Sequence, residues 1–340
     1  MTMTPAGDMA NALFLRRQTA TLKTAMTRHS QELTTGRFAD PLRGLRGNTA
    51  ALAALERSRT ALSSFRLVTT EAGMHTAGQQ NVLEKLRASS IDIASQLFNF
   101  GSAVPPQMVQ TAARIGAGAF EDAVTGLNSR VSDRSLFAGA ASDGPALKPA
   151  AEIVALLKAE IHGVTTAEEV AERVFAWFDT GGGGFETSGL AFAWPATPQG
   201  EGPLAIAPGE RISLTVTAGR SELRPALAGL ALAAVVDAGA LAGDFAARAD
   251  LLQRAAVRLA GASVGLTALA GEVGDTEARI ARAAARNTNE LTALDVALNG
   301  LIGVDTLDAA TRLEETRVRL ESLFAMTARL QRMSLTEFLR

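Results

Sequence analysis

The chain contains no cysteine, which removes disulfides, thiolate metal sites and cysteine nucleophiles at a stroke; it leaves the compartment open, because an exported protein can also do without bridges. Histidine is scarce. His29, His75 and His162 fall on separate predicted helices, with no HExxH or other close ligand spacing, so they read as surface or helix-packing residues and no metal site is expected. A basic excess is missing too: the formal net charge is −2 and the basic residues, nearly all Arg, are dispersed among acids along helical faces, which argues against a nucleic-acid partner. Long apolar runs are absent. The most apolar stretch, residues 225 to 236 (PALAGLALAAVV), falls short of the roughly twenty residues that span a bilayer, so it is expected to be a buried helix and no membrane insertion is expected. The opening MTMTPAGDMANAL lacks the basic start, apolar core and small-residue cleavage site of a Sec-type signal.

Catalytic signatures are lacking in the same way. The run Gly181 to Gly184 is followed by no Gly-Lys-Ser/Thr and preceded by no strong strand, and reads as a linker or hinge rather than a phosphate loop. No GxSxG elbow occurs. The acids sit mainly as helix-face partners of Arg, as Glu314, Glu315 and Glu321 do beside Arg312, Arg317 and Arg319. No cofactor and no enzymatic activity are expected. The middle-segment residues Trp177, Trp194 and Asp179 are the weak basis for any enzyme reading, and most simply form a small core.

What is present is helical periodicity. With 340 residues, 47% of them apolar, the chain is a folded one with room for two or three domains. At its end Leu313, Leu320, Leu323, Phe324, Leu330 and Met333 recur at three- and four-residue spacings, and Leu15, Leu22, Met26 and Leu33 do so at its start. Such stripes each bury one side of a helix. Two terminal helices can pair as a coiled coil, yet a pair alone leaves apolar surface wet, so Leu15, Leu22, Met26, Leu313, Leu320, Leu323, Phe324, Leu330 and Met333 are the candidate subunit-interface residues. Residues 44 to 98 read as one long helix, interrupted if anywhere near Gly73 and about 80 Å long if continuous. Pro105-Pro106 ends it, and a helix resumes over 107 to 131.

The cleanest period lies later. Leu252, Leu259, Leu266, Val273, Ile280, Asn287, Leu294 and Leu301 fall at seven-residue intervals, with Ala255, Ala262, Leu269 and Ala283 at alternate positions, a heptad seam whose small residues permit close packing. Asn287 either fixes register or sits at a wet edge. Between these helical segments, residues 148 to 248 show short helices at 150 to 161 and 166 to 178, strand candidates at Leu190 to Trp194 and Arg211 to Thr217, and a helix at 221 to 237. The expected fold class is therefore mainly α: a nested long-helix coiled-coil rod formed by both chain ends, with a small α+β inserted domain in the middle. The expected divisions are 1–43 with 300–340 (terminal coiled-coil helices), 44–140 with 245–299 (helical rod domain) and 141–244 (variable insertion).

This layout resembles the flagellin superfamily of bacterial axial proteins. ELTTGRFADP (32 to 41) is similar to the segment closing the first helix in that superfamily, with Gly36 as helix stop and Asp40-Pro41 as turn. SLFAGAASDGPAL (135 to 147) is similar to its turn into the variable domain, anchored by Leu136 and Phe137 and turned by Gly139, Asp143 and Pro145. Within the superfamily, both the start and the C-terminal RLEETRVRLESLFAMTARLQRMSLTEFL are most similar to the hook-filament junction family, hook-associated protein 3. The resemblance implies a non-enzymatic structural subunit at the extracellular hook-filament junction, exported by the flagellar type III route without a cleaved signal. Its implied partners are copies of itself in a ring, the first hook-associated protein, flagellin and a flagellar export chaperone. The rival expectations are flagellin itself and, from another class, a cytoplasmic coiled-coil adaptor.

Overall fold

A computed structural model describes residues 6–45, 47, 49–98, 104–179, 181, 183–191 and 201–338. The chain is mainly helical, with long terminal helices and a small strand-containing middle region. It divides into two compact units, residues 1–63 with 289–340 and residues 64–288, the division falling inside two long helices, α3 (Ala50–Leu97) and α8 (Phe245–Ile302).

In the first unit, α1 (Ala6–Thr35) packs against α9 (Thr306–Phe338). Gly36 ends α1 at φ +66°, a left-handed conformation that costs glycine nothing. Asp40 then caps the single turn α2 (Pro41–Gly44) by accepting from the Arg43 amide at 3.3 Å, and Pro41 supplies a preset φ at its first position. The expected helix stop and turn are both there.

In the second unit the core is built around α7 (Arg224–Asp237), whose residues from Ala226 to Val236 are all buried. That explains an apolar run with no polar face. α4 (Pro106–Leu127), α5 (Ala150–Glu160) and α6 (Ala167–Asp179) pack against it, and α8 closes on it at Gly229, where a Cβ would stand 2.6 Å from Leu259 Cγ. α4 approaches as closely: a Cβ on Gly116 would lie 2.4 Å from that of Ala233. The heptad seam of α8 is buried from Leu252 through Ile280, and Leu294 and Leu301 are half-buried. α8 is also long enough, and over one 18-residue window apolar enough (mean hydropathy 1.2), to cross a membrane by composition, and 33% of that window is buried within the fold.

α3 runs without a break through Gly73, which faces Ile280 with room for a methyl group. The sequence reading of helices at 150 to 161 and 166 to 178 corresponds to α5 and α6. The strand expected over Arg211 to Thr217 is β4 (Glu210–Leu214), shorter because Val216 and Thr217 leave the ladder for the core. Its partner β3 (Glu201–Ala207) was not anticipated: its alternation is broken by Pro203 and by register shifts at both ends of Leu204-Ala205. A two-residue ladder between β1 (Arg130–Val131) and β2 (Arg134–Ser135) was also missed; Ser132 and Asp133 turn it at positive φ. Leu190 forms an isolated bridge with Leu147, while Trp194 lies outside the described residues. Gly184, expected to be part of a hinge, instead lets the backbone lie on Trp177, where a Cβ would come within 1.8 Å of Nε1.

Candidate functional site

α1 and α9 meet along a narrow seam. On α1, Leu15, Thr19, Leu22 and Leu33 are half-buried and His29 and Glu32 buried; on α9, Ala309, Thr316 and Leu320 are buried and Leu313, Leu323 and Thr327 half-buried. These positions alternate by three and four, so each helix offers one stripe to the other. Polar groups interrupt the seam and are satisfied within it. Thr19, Thr316 and Thr327 donate to the carbonyls of Leu15, Arg312 and Leu323 at 2.7–2.8 Å, and His29 Nδ1 lies 3.0 Å from Glu32 Oε2.

The base of the pair is tied to the α8–α9 corner by backbone. Phe38 donates to the Ile302 carbonyl and Val304 to that of Gly36, both at 2.9 Å, and Arg37 reaches Asn299 Oδ1 at 2.7 Å. Gly303 is required at this corner, since a Cβ there would stand 2.2 Å from the Asn299 carbonyl oxygen.

The candidate interface residues therefore separate into groups. Leu15, Leu22, Leu313, Leu320 and Leu323 lie along the seam within one chain. Met26 and Phe324 point outward, 37% and 49% exposed. The side chains of Leu330 and Met333 lie outside the described residues. Sequence reasoning passed over Leu13, Phe14, Val318 and Met326, which are 52–65% exposed; they sit one or two positions off the seam, where a single-stripe reading does not look.

The turn residues are organised as a built corner. Leu136 and Phe137 are 3% and 0% exposed. Gln79 of α3, itself buried, donates to the carbonyls of Leu136 (2.7 Å) and Val216 (3.0 Å), and Ala218 donates to that of Phe137 at 2.9 Å. Gly139 turns at φ +60°, and Asp143 and Pro145 are exposed. Asn128 clamps the exit, accepting from the Leu147 amide at 2.7 Å and donating to its carbonyl at 3.0 Å. Asn287 is 1% exposed and donates to the Ile206 carbonyl at 2.8 Å. The polar member of the heptad thus holds β3, a role that neither sequence alternative named.

Charged groups in the second unit are equally structural. Buried Arg224 pairs with Glu186 at 2.5 Å and donates to the carbonyls of Phe178 and Gly219, beside an aromatic cluster of Trp177, Phe178 and Phe185. Asp179 is ion-paired with Arg258. Arg220 bridges Glu222 and Glu272 at 2.8 and 2.9 Å, and its guanidinium holds the Glu222 carboxyl below the usual carboxylate range. Among the described residues no group of three or more His, Asp or Glu could hold a metal ion. A groove of about 600 Å³ between α3, α4 and the β1–β2 turn is lined by Val82, Lys85, Ser89, Asp122, Ser129 and Leu136 among others.

Residues 258–339 match the sequence model of the bacterial flagellin C-terminal helical region. No curated protein matches the chain. A solved structure described provisionally as a flagellar hook-associated protein from Vibrio parahaemolyticus aligns with a TM-score of 0.49 at 12% identity, over 77% of this chain and 98% of that one.

Proposed function

We propose that this chain is a non-enzymatic structural subunit of the bacterial flagellum, assembled outside the cell at the junction between hook and filament. The observation that carries the reading is the flagellin C-terminal match over residues 258–339, which covers the α8–α9 corner and α9, the helix that packs on α1. The pair so formed satisfies its own seam yet leaves Leu13, Phe14, Val318, Phe324 and Met326 in water. Large apolar side chains left exposed on both helices of the pair fit burial against neighbouring subunits. The junction, rather than the filament, is favoured by the likeness of both chain ends to the junction family. On this reading the neighbours are copies of the chain in a ring, the first hook-associated protein below and flagellin above, with an export chaperone covering α9 beforehand. The expected divisions at 1–43 with 300–340, 44–140 with 245–299, and 141–244 then correspond to inner tube, surrounding layer and outward projection.

The test is electron microscopy of cells from which the gene is deleted, with an assay for flagellin in the medium. Hooks without filaments and flagellin secreted unpolymerised are expected. Intact hooks with absent flagellin would transfer the assignment to the filament subunit, and normal flagella in a strain with no second copy would overturn both.

A further inference from the structure

Among the described residues, the outward face of α1 is cationic and unpaired. From Met9 to Gln31 the helix carries Arg16, Arg17, Lys23 and Arg28 and not one Asp or Glu. Arg28 is turned to His29. Arg16, Arg17 and Lys23 are exposed, and among the described residues none of them has an ion-pair partner; Lys23 reaches only the Phe324 ring, at 6.0 Å. α9 is built otherwise. There Arg312, Arg317 and Arg319 are each paired one turn away with Asp308, Glu314 or Glu321, and Glu315.

The charge of the chain is divided in the same sense. Residues 1–63 with 289–340 hold 15 Lys and Arg against 12 Asp and Glu, whereas residues 64–288 hold 18 against 23. A net of −2 for the whole therefore conceals one basic unit and one acidic unit. On the same helix stand Leu13 and Phe14, 65% and 60% exposed.

We propose that the Arg16, Arg17 and Lys23 face of α1 docks on the acidic second unit of another copy of this chain, with Leu13 and Phe14 covered at the contact. Charge complementarity names the occupant: between Met9 and Gln31 the cations find no acid on their own helix, and an excess of acids is present on the second unit of every other copy. A basic patch meeting an acidic one is a head-to-tail contact, which repeats into a ring or an open helix rather than stopping at a two-fold dimer. An anionic bilayer is the weaker fit, because a helix lying in a membrane surface commits its apolar stripe to lipid and the stripe of α1 at Leu15, Leu22 and Leu33 lies along the seam with α9. The inference rests on the assembly reading for the claim that α1 meets other subunits.

The test is sedimentation of the purified full-length chain at about 20 mM and about 300 mM salt, where screening lengths differ several-fold. Self-association at low salt, about tenfold or more weaker at high salt, is expected. Arg16→Glu/Arg17→Glu should abolish it, while Lys158→Glu/Arg114→Glu, the same charge change placed on exposed helix positions of the second unit, should leave it intact or strengthen it; circular dichroism establishes that each variant is folded. Association indifferent to salt or to the α1 pair, or lost equally in both variants, would overturn the proposal. So would α1-dependent binding to vesicles of phosphatidylglycerol and phosphatidylcholine without self-association. Because it uses pure protein, the result stands or falls separately from the phenotype of the gene deletion.

Discussion

At the scale of single residues, two helical glycines make opposite predictions. Gly116 sits where α4 touches α7, with no space for a methyl beside Ala233, whereas a Cβ on Gly73 would stand 3.8 Å from Ile280 Cγ2, an ordinary contact. Gly73→Ala should stabilise the chain by up to about 1 kcal/mol, the helix-propensity gain. Gly116→Ala should destabilise by about 1–3 kcal/mol through overpacking; urea denaturation of the two variants measures both. Glu222 gives a pH prediction. Its pKa is lowered in the fold, first by the hydrogen bonds from Arg220 and against the effect of burial. A depressed carboxylate contributes stability that is fully present above the ordinary value near about 4.3 and is lost as pH falls through the folded value. Arg220→Gln should therefore lower stability at neutral pH and flatten its fall in the acid range, as denaturation midpoints across that range would record. These residues mark the edge of what a sequence displays. Asn287 was visible as a break in the heptad, but its partner, the carbonyl of Ile206, belongs to a strand that Pro203 and irregular pairing hid. Arg224 and Gln79 gave no signal, because nothing in a local pattern distinguishes a buried polar residue that bonds distant carbonyls from a solvated one.

At the scale of elements, long periodic segments were legible and short irregular ones were not. α7, α8 and the α5–α6 pair follow from period and apolar content, since packing and local preference agree there. The β3–β4 hairpin depends on contacts supplied by α3 and α8, whose apolar side chains cover it at Ala72, Ile280 and Ala283. The terminal helices were legible as stripes, but not which residue of each stripe turns inward. That distinction is testable. Leu320→Ala should loosen the α1–α9 pair by about 2 kcal/mol, as loss of a largely buried leucine does, whereas Phe324→Ser should change monomer stability by less than about 0.5 kcal/mol and yet impair assembly. Amide exchange of the monomer together with polymerisation or motility assays in cells separates the two outcomes; equal loss of monomer stability in both would place Phe324 in the seam.

At the scale of the whole molecule, the backbone bridge between Arg37 and Gly303 governs time. It joins partners about as far apart in the chain as Arg37 and Asn299, whose side chains meet across 262 residues, and closing so long a loop costs entropy that no local contact returns. A ribosome releases α1 first and α9 last. Throughout synthesis, then, the first helix has no mate, while the second unit completes its core from residues already delivered. The terminal pair is therefore expected to be the last part of the fold to close and, on unfolding, the first to open. Hydrogen exchange should show it: amides of α1 and α9 should exchange at least tenfold faster than those of α7 and the Leu252 to Ile280 stretch of α8. Comparable protection at both places would mean that the ends are held by more than each other.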